Sequence, residues 1–165
     1  MRKANYLQAK WRNVVFSLIA LLIVVADQLV KLWIRTNLAV GESLFELGFF
    51  RLTHISNTGA AFGLFRGQTF PLIVVSFVAV AILLLYAFLF YRQFPQLDRW
   101  LSWTGLGLIL GGTIGNLIDR LRLGYVTDFI DFGFWPAFNV ADSAIVVGVI
   151  IFAYSLLSLA RAEKY

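Results

Sequence analysis

Asp27, Asp119, Asp128, Asp131 and Asp142 stand at the ends of long apolar runs in a chain of 165 residues, of which only 14% are charged. Two carboxylates held a few ångströms apart cannot both ionise, so they share a proton. One then takes a proton from water while the other, protonated, polarises a carbonyl, which is a route to peptide hydrolysis without a nucleophilic side chain or a metal. Each aspartate also has a plain structural use. Asp27 with Lys31 at i,i+4 is a helix-end ion pair, and Asp119 beside Arg120 and Arg122 is another. Asp142, directly ahead of "SAIVVGVIIF", suits a helix N-cap, and Asp128 and Asp131 suit a solvated loop. Spacing alone leaves the catalytic pair open.

The residue inventory removes the competing chemistries. Without cysteine there is no disulfide, thiolate nucleophile or Cys-ligated metal. His54 is the single histidine, so multi-histidine metal sites are absent, and its expected place is an interfacial loop rather than a Ser-His-Asp triad. A Ser-Lys dyad would need Lys31, which has Asp27 beside it. No P-loop and no G-x-G-x-x-G ahead of a helix supports nucleotide chemistry. Neither a metal nor an organic cofactor is expected.

The elements that must hold these carboxylates are membrane spans. The chain is 60% hydrophobic, and the excess lies in runs long enough to cross a bilayer. The expectation is an all-α integral membrane protein forming one polytopic domain over residues 1–165. Its four transmembrane helices fall near 14–34, 70–91, 100–120 and 142–160. A basic tail before the first apolar run resembles a signal peptide, but "VADQLVKLWI" continues the helical pattern without a cleavage site, so retention is expected. The net charge of +5 comes from scattered residues that flank the spans, which argues against nucleic acid. Arg2, Lys3, Lys10 and Arg12, with Arg92, Arg99, Arg161 and Lys164, slightly outnumber Lys31, Arg35, Arg51, Arg66, Arg120 and Arg122 on the other side. Both termini are therefore expected in the cytoplasm and the aspartates near the outer face.

Two outer segments, about 35–69 and 121–141, are aromatic and carry glycine turns. The first reads as a small β-rich element at the membrane interface and the second as an interfacial stretch. Gly107, Gly111 and Gly115 form a small-residue series on the third span that lets another helix approach closely. Asn116, Asp119 and Arg120 extend that helix on one face. A non-catalytic transporter is the alternative class, since intramembrane carboxylates also mark ion pathways. Such a protein would favour mid-membrane charges and broken helices in repeated halves, whereas these carboxylates gather at one end.

Five blocks in order, "DQLVK" (27–31), "NTGAAFG" (57–63), "GGTIGNLIDR" (111–120), "VTDFIDF" (126–132) and "FNVADSAI" (138–145), resemble the bacterial lipoprotein signal peptidase (signal peptidase II) family. The resemblance covers the chain from the first span to the last. It implies an intramembrane aspartyl endopeptidase of the bacterial inner membrane that removes the signal peptide from prolipoproteins, cutting just before a diacylglyceryl-modified cysteine. It makes Asp128 and Asp142 the catalytic pair. Asn57, Gly59, Asn116, Arg120, Asn139 and Ala141 become the residues that bind substrate or support the dyad, with Ala60 and Ala61 beside Gly59 leaving room for substrate backbone. Asp27, Lys31 and Asp119 become structural. The implied partners are the lipid-modified substrate and membrane lipid, and a monomer is expected. "IDFGFWP" is shorter than the link between catalytic motifs in many members, which bears on the length of any flap over the site. A polar pocket at the outer ends of helices 3 and 4, roofed by the two aromatic segments, is the predicted location.

Overall fold

The computed structural model describes residues 2–59, 67–90 and 100–162. Ala60, Ala61, Arg66, the Arg92–Arg99 loop and Lys164 lie outside them. Four α-helices, α1 (Arg2–Asn37), α2 (Thr69–Leu85), α3 (Trp100–Leu123) and α4 (Val140–Ala162), are long and apolar enough to cross a membrane. One π-helical turn, Tyr86–Phe90, continues α2. Three strands, β1 (Ser43–Leu47), β2 (Phe50–Asn57) and β3 (Val126–Asp131), form an antiparallel sheet in that order. The sheet lies where α1 and α3 end and α4 begins.

α3 is the central helix, with most of its length buried, while α1, α2 and α4 expose long apolar faces such as Leu18, Leu22, Val75, Val146 and Ile150. A bilayer supplies no hydrogen bonds and little hydrophobic drive between helices, so close packing needs small residues. The predicted glycine series provides them, and the approaching helix is α1. A Cβ on Gly111 would stand 2.7 Å from the Ala20 carbonyl oxygen, and one on Gly115 would stand 2.7 Å from Asp27 Oδ2. A second series faces α4: a Cβ on Gly105 would meet Gly148 O at 2.8 Å, and one on Gly112 would collide with Ala141 O. Ser102 and Ser155 add a buried hydroxyl–hydroxyl bond of 2.7 Å between α3 and α4. At the end remote from the sheet, Phe16, Trp103, Leu106 and Leu110 form the core, with the Arg12 guanidinium 4.6 Å from the centre of the Trp103 indole.

The turns follow local chemistry. Gly48, at φ +60°, opens the two-residue turn that pairs Leu47 with Phe50. Gly124, at φ +78°, ends α3 and returns its N–H to the Arg120 carbonyl. The second outer segment differs from its sequence reading: it supplies β3, which pairs with β2 from Arg51↔Asp131 to Asn57↔Val126. The segment after β3 folds back so that Phe138 bridges Ile130. Phe132 there meets Phe50 and Phe138, with ring centroids 5.5 and 5.9 Å away. The first span also reaches further than read, with helix from Arg2 to Asn37.

Gly112→Ala is expected to destabilise the protein by about 1–3 kcal/mol, because backbone rather than a flexible side chain blocks the added methyl. Thermal unfolding in detergent measures it. Gly124→Ala, at a helix end with open space around it, is expected to cost less, through its positive φ alone.

Candidate active site

Asp128 lies in β3 and Asp142 in the first turn of α4, and both line one cavity of about 610 Å³. Asn57, Gly59, Asn116 and Arg120 line it as well. Val126, Trp135, Pro136, Phe138 and Ile145 give it apolar walls, which continue along α4 to the exposed Val146 and Val147. Among the described residues, the aromatic cover comes from the second outer segment, through Trp135 and Phe138. Among the described residues, the first contributes only Asn57 and Gly59 to the lining.

Three asparagine side chains join the two carboxylates. Asn57 Nδ2 donates to Asp128 Oδ2 at 2.9 Å, and Asn139 Nδ2 donates to Asp128 Oδ1 at 2.7 Å. Asn116 Nδ2 donates to Asp142 Oδ1 at 2.7 Å, while its Oδ1 accepts from Asn139 at 3.2 Å. Each amide is held the right way round by a donor on its oxygen side. The Gly59 N–H serves Asn57 (2.9 Å), the Asp142 N–H serves Asn139 (2.9 Å), and the Lys31 ammonium serves Asn116 (2.8 Å). With the oxygens so engaged, the NH₂ groups must point at the carboxylates. Both oxygens of Asp128 therefore accept hydrogen bonds. Asp142 takes the Asn116 amide on Oδ1 and, only partly buried, lines the cavity.

Behind the cavity lies a buried charge cluster. Lys31, fully buried, stands 2.8 Å from Asp27 Oδ2 and 3.4 Å from Asp119 Oδ2. Arg35 reaches Asp119 Oδ1 at 3.3 Å and the Thr127 hydroxyl at 3.0 Å. Gln28 donates to Asp119 Oδ1 at 3.2 Å and to the Gly115 carbonyl at 3.1 Å. These two aspartates also hold backbone: Asp119 Oδ2 accepts the Thr127 N–H at 3.0 Å, and Asp27 Oδ1 accepts the Ala141 N–H at 2.9 Å. Asp119 thereby fixes the strand that carries Asp128, and Asp27 the helix start that carries Asp142.

Several sequence readings change. Asp119 pairs with Lys31 and Arg35, not with its neighbours Arg120 and Arg122. The N-cap of α4 is Asn139, whose Oδ1 takes the Asp142 N–H, so Asp142 is left for the cavity. Neither Asp128 nor Asp131 is a solvated loop residue. Both are buried in β3, and Asp131 pairs with Arg51 at 2.7 Å. His54 is buried in β2 rather than in a loop, with Nδ1 2.9 Å from the Leu38 carbonyl oxygen, and does not line the cavity. Asn139 and Ala141 are fully buried behind the cavity, where the Asn139 amide bonds Asp128. Gln28, Arg35 and Thr127 were missed. Arg35 was within reach, since Asp27, Lys31 and Arg35 form an i,i+4 ladder. Among the described residues, no group of three or more His, Asp or Glu side chains is placed to hold a metal.

Burial pushes the Asp128 carboxyl up to about 7, and the nearby Asp142 charge adds to the rise; Asn57, Asn139 and Lys31 oppose it. A carboxyl that stays protonated to neutral pH, next to a second one, can serve as an acid there.

Four spans and a small sheet around a carboxylate-lined cavity define a multi-pass membrane enzyme. Two solved structures described as bacterial membrane enzymes share the fold. One has TM-score 0.76 at 30% identity, covering 86% of each chain; the other has TM-score 0.72 at 31% identity, covering 85% of this chain and 90% of that one. The family profile described as signal peptidase (SPase) II matches residues 19–158. The lipoprotein signal peptidase of Moorella thermoacetica is 53% identical over 143 residues, 86% of this chain and 92% of that one. That of Dehalococcoides mccartyi is 52% identical over 139 residues, 84% and 86% respectively. The chain belongs to the signal peptidase II family and is a protease of the bacterial cell membrane.

Lys31→Met leaves Asp27 and Asp119 without their shared cation, so a loss of about 3–5 kcal/mol is expected in detergent unfolding. Asp27→Asn should then cost less on that background than in the wild type. Asp128, raised from 3.8 to about 7, binds a proton in the folded state that the unfolded chain has released, so stability falls as pH rises through that window. The unfolding temperature of Asp128→Asn relative to wild type should rise between pH 5 and pH 8, by roughly 2–4 °C for each kcal/mol relieved.

Proposed function

We propose that this protein is an intramembrane aspartyl endopeptidase, with Asp128 and Asp142 as its catalytic pair, that cleaves prolipoproteins just before a diacylglyceryl-modified cysteine. The observation that carries the reading is the placing of two carboxylates from separate elements in one cavity, joined through the Asn139 and Asn116 amides. Family membership supports the prolipoprotein substrate. So does the run of apolar wall from the cavity to the lipid-facing side of α4, which gives a lipid-bearing peptide a route in from the bilayer.

In the proposed reaction the pair holds one proton. The ionised partner takes a proton from water as the oxygen attacks the scissile carbonyl, and the protonated partner gives its own to the carbonyl oxygen. The resulting diol collapses as the amide nitrogen is protonated and the C–N bond breaks, which returns one proton to the pair. Asp142, the less buried of the two, is suited to meet water in the cavity, while Asp128, raised towards neutrality, is suited to carry the proton. Arg120, in the cavity wall, offsets the negative charge, and Asn57 and Asn139 fix Asp128. Gly59, without a side chain, lets substrate backbone come close. The enzyme is taken to act as a monomer, with both termini cytoplasmic and the site near the outer face.

Incubation with a diacylglyceryl-modified prolipoprotein in detergent, followed on a gel, tests the assignment. Asp128→Asn and Asp142→Asn are each expected to lower cleavage by roughly 10²–10⁴-fold, while Asp131→Asn, paired with Arg51 outside the cavity, retains it. Cleavage should decline as pH rises above about 7, where the pair loses its last proton. Cleavage undiminished in both asparagine variants would place the catalytic pair elsewhere.

A further inference from the structure

On the side of α3 away from the cavity, a second groove of about 430 Å³ runs between α1 and α3. Its inner part is lined mainly by Val24, Val25, Leu29 and Leu32, with the Gln28 side chain turned to Asp119 and the Gly115 carbonyl, and its outer part carries Arg35 and Arg122. From Val24 to Arg35 the groove follows about 16 Å of helix, a fair share of one bilayer leaflet. Leu29 and Leu32 are exposed on a helix long and apolar enough to cross a membrane.

The outer end is built to receive an acidic group. Arg122 has no hydrogen bond or ion pair among the described residues. Arg35 makes both of its bonds, to Asp119 and Thr127, through Nη1, which leaves the rest of its donor fork. Asp119 also borders the groove, but its oxygens are already taken by Arg35, Gln28, Lys31 and the Thr127 N–H. Arg122 has a local role too, since a cation in the last turn of α3 offsets the partial negative charge of the helix end. That role needs no groove and no second guanidinium on α1. A guanidinium pair above an apolar channel matches a phosphodiester joined to acyl chains.

We infer that the α1–α3 groove is a binding site for a membrane glycerophospholipid, its phosphate on Arg122 and the free donors of Arg35 and an acyl chain along Val24, Val25 and Leu29. This site is separate from the cavity of Asp128 and Asp142, and the inference does not rest on the proposed reaction. Arg35 joins the two sides, because its other contacts hold Asp119 and Thr127, next to Asp128.

Native mass spectrometry of the full chain in detergent tests it, with dioleoyl phosphatidylglycerol, dioleoylglycerol and sn-glycerol 3-phosphate as probes. Phosphatidylglycerol is expected to stay bound in preference to dioleoylglycerol, which lacks the phosphate. Arg122→Ala should weaken its binding roughly fivefold without changing that of dioleoylglycerol. Leu29→Trp, which fills the apolar part, should reduce both lipids, and Arg161→Ala, at the far end of α4, should change neither. Arg122 and Leu29 both lie on exposed surface, and unchanged unfolding temperatures would show the variants folded. Equal binding of the two lipids, equal losses in Arg122→Ala and Arg161→Ala, or displacement of phosphatidylglycerol by glycerol phosphate at similar concentration would each overturn the inference.

Discussion

The fully buried ammonium of Lys31 is the point on which the structure turns. A cation out of water must be met by anions and acceptors, and here they come from two helices: Asp27 one turn back on α1, and Asp119 and Asn116 on α3. That demand brings α1 and α3 together at Gly111 and Gly115, where any side chain would strike Ala20 or Asp27. The carboxylates that neutralise Lys31 use their remaining lone pairs on the Ala141 and Thr127 N–H groups. One charge cluster thus sets the position of both α4 and β3, the two elements that bring Asp142 and Asp128 to the cavity.

Polarity is passed on from that cluster in an ordered way. An asparagine amide can turn either face to its surroundings, and a carboxylate beside it gains a hydrogen bond only from the NH₂ face. Lys31 decides the matter for Asn116, and backbone N–H groups decide it for Asn139 and Asn57. Fixed donors aimed at a carboxylate favour its charged form, whereas burial and the second carboxylate favour the neutral one. For Asp128 the latter pair prevails. The result is a carboxyl that titrates near neutrality yet is held rigidly through both oxygens.

Much of this was legible in the sequence. The spans follow from composition and run length, the Asp27–Lys31 pair from its i,i+4 spacing, and the α3 glycine series from its four-residue period. What escaped depends on partners distant along the chain. Asp119 was assigned to Arg120, which as the next residue on the helix diverges from it, and to Arg122, three residues on, but its cations come from α1. β3 went unread as a strand because its partner, β2, lies across two intervening helices, and no local periodicity announces such a pairing. Asp142 was a fair N-cap candidate until Asn139, three residues earlier, took that place. The choice of Asp128 and Asp142 came from resemblance to a family, since residue types and spacing alone left several carboxylates equal.

The i,i+4 placing of Asp27 and Lys31 also bears on how the protein is made. α1 is synthesised and handed to the bilayer long before α3 exists, so Lys31 meets lipid when Asp119 and Asn116 have yet to be translated. Asp27 travels on the same helix, one turn away, so Lys31 arrives with a counter-ion of its own, while Arg35, a turn further on at the end of the helix, waits for Asp119. β3, with Asp128, leaves the ribosome only after α3, and Asp142 later still. The cavity is therefore completed last, on a charge cluster that α1 begins with Asp27 and Lys31 and α3 completes with Asp119 and Asn116.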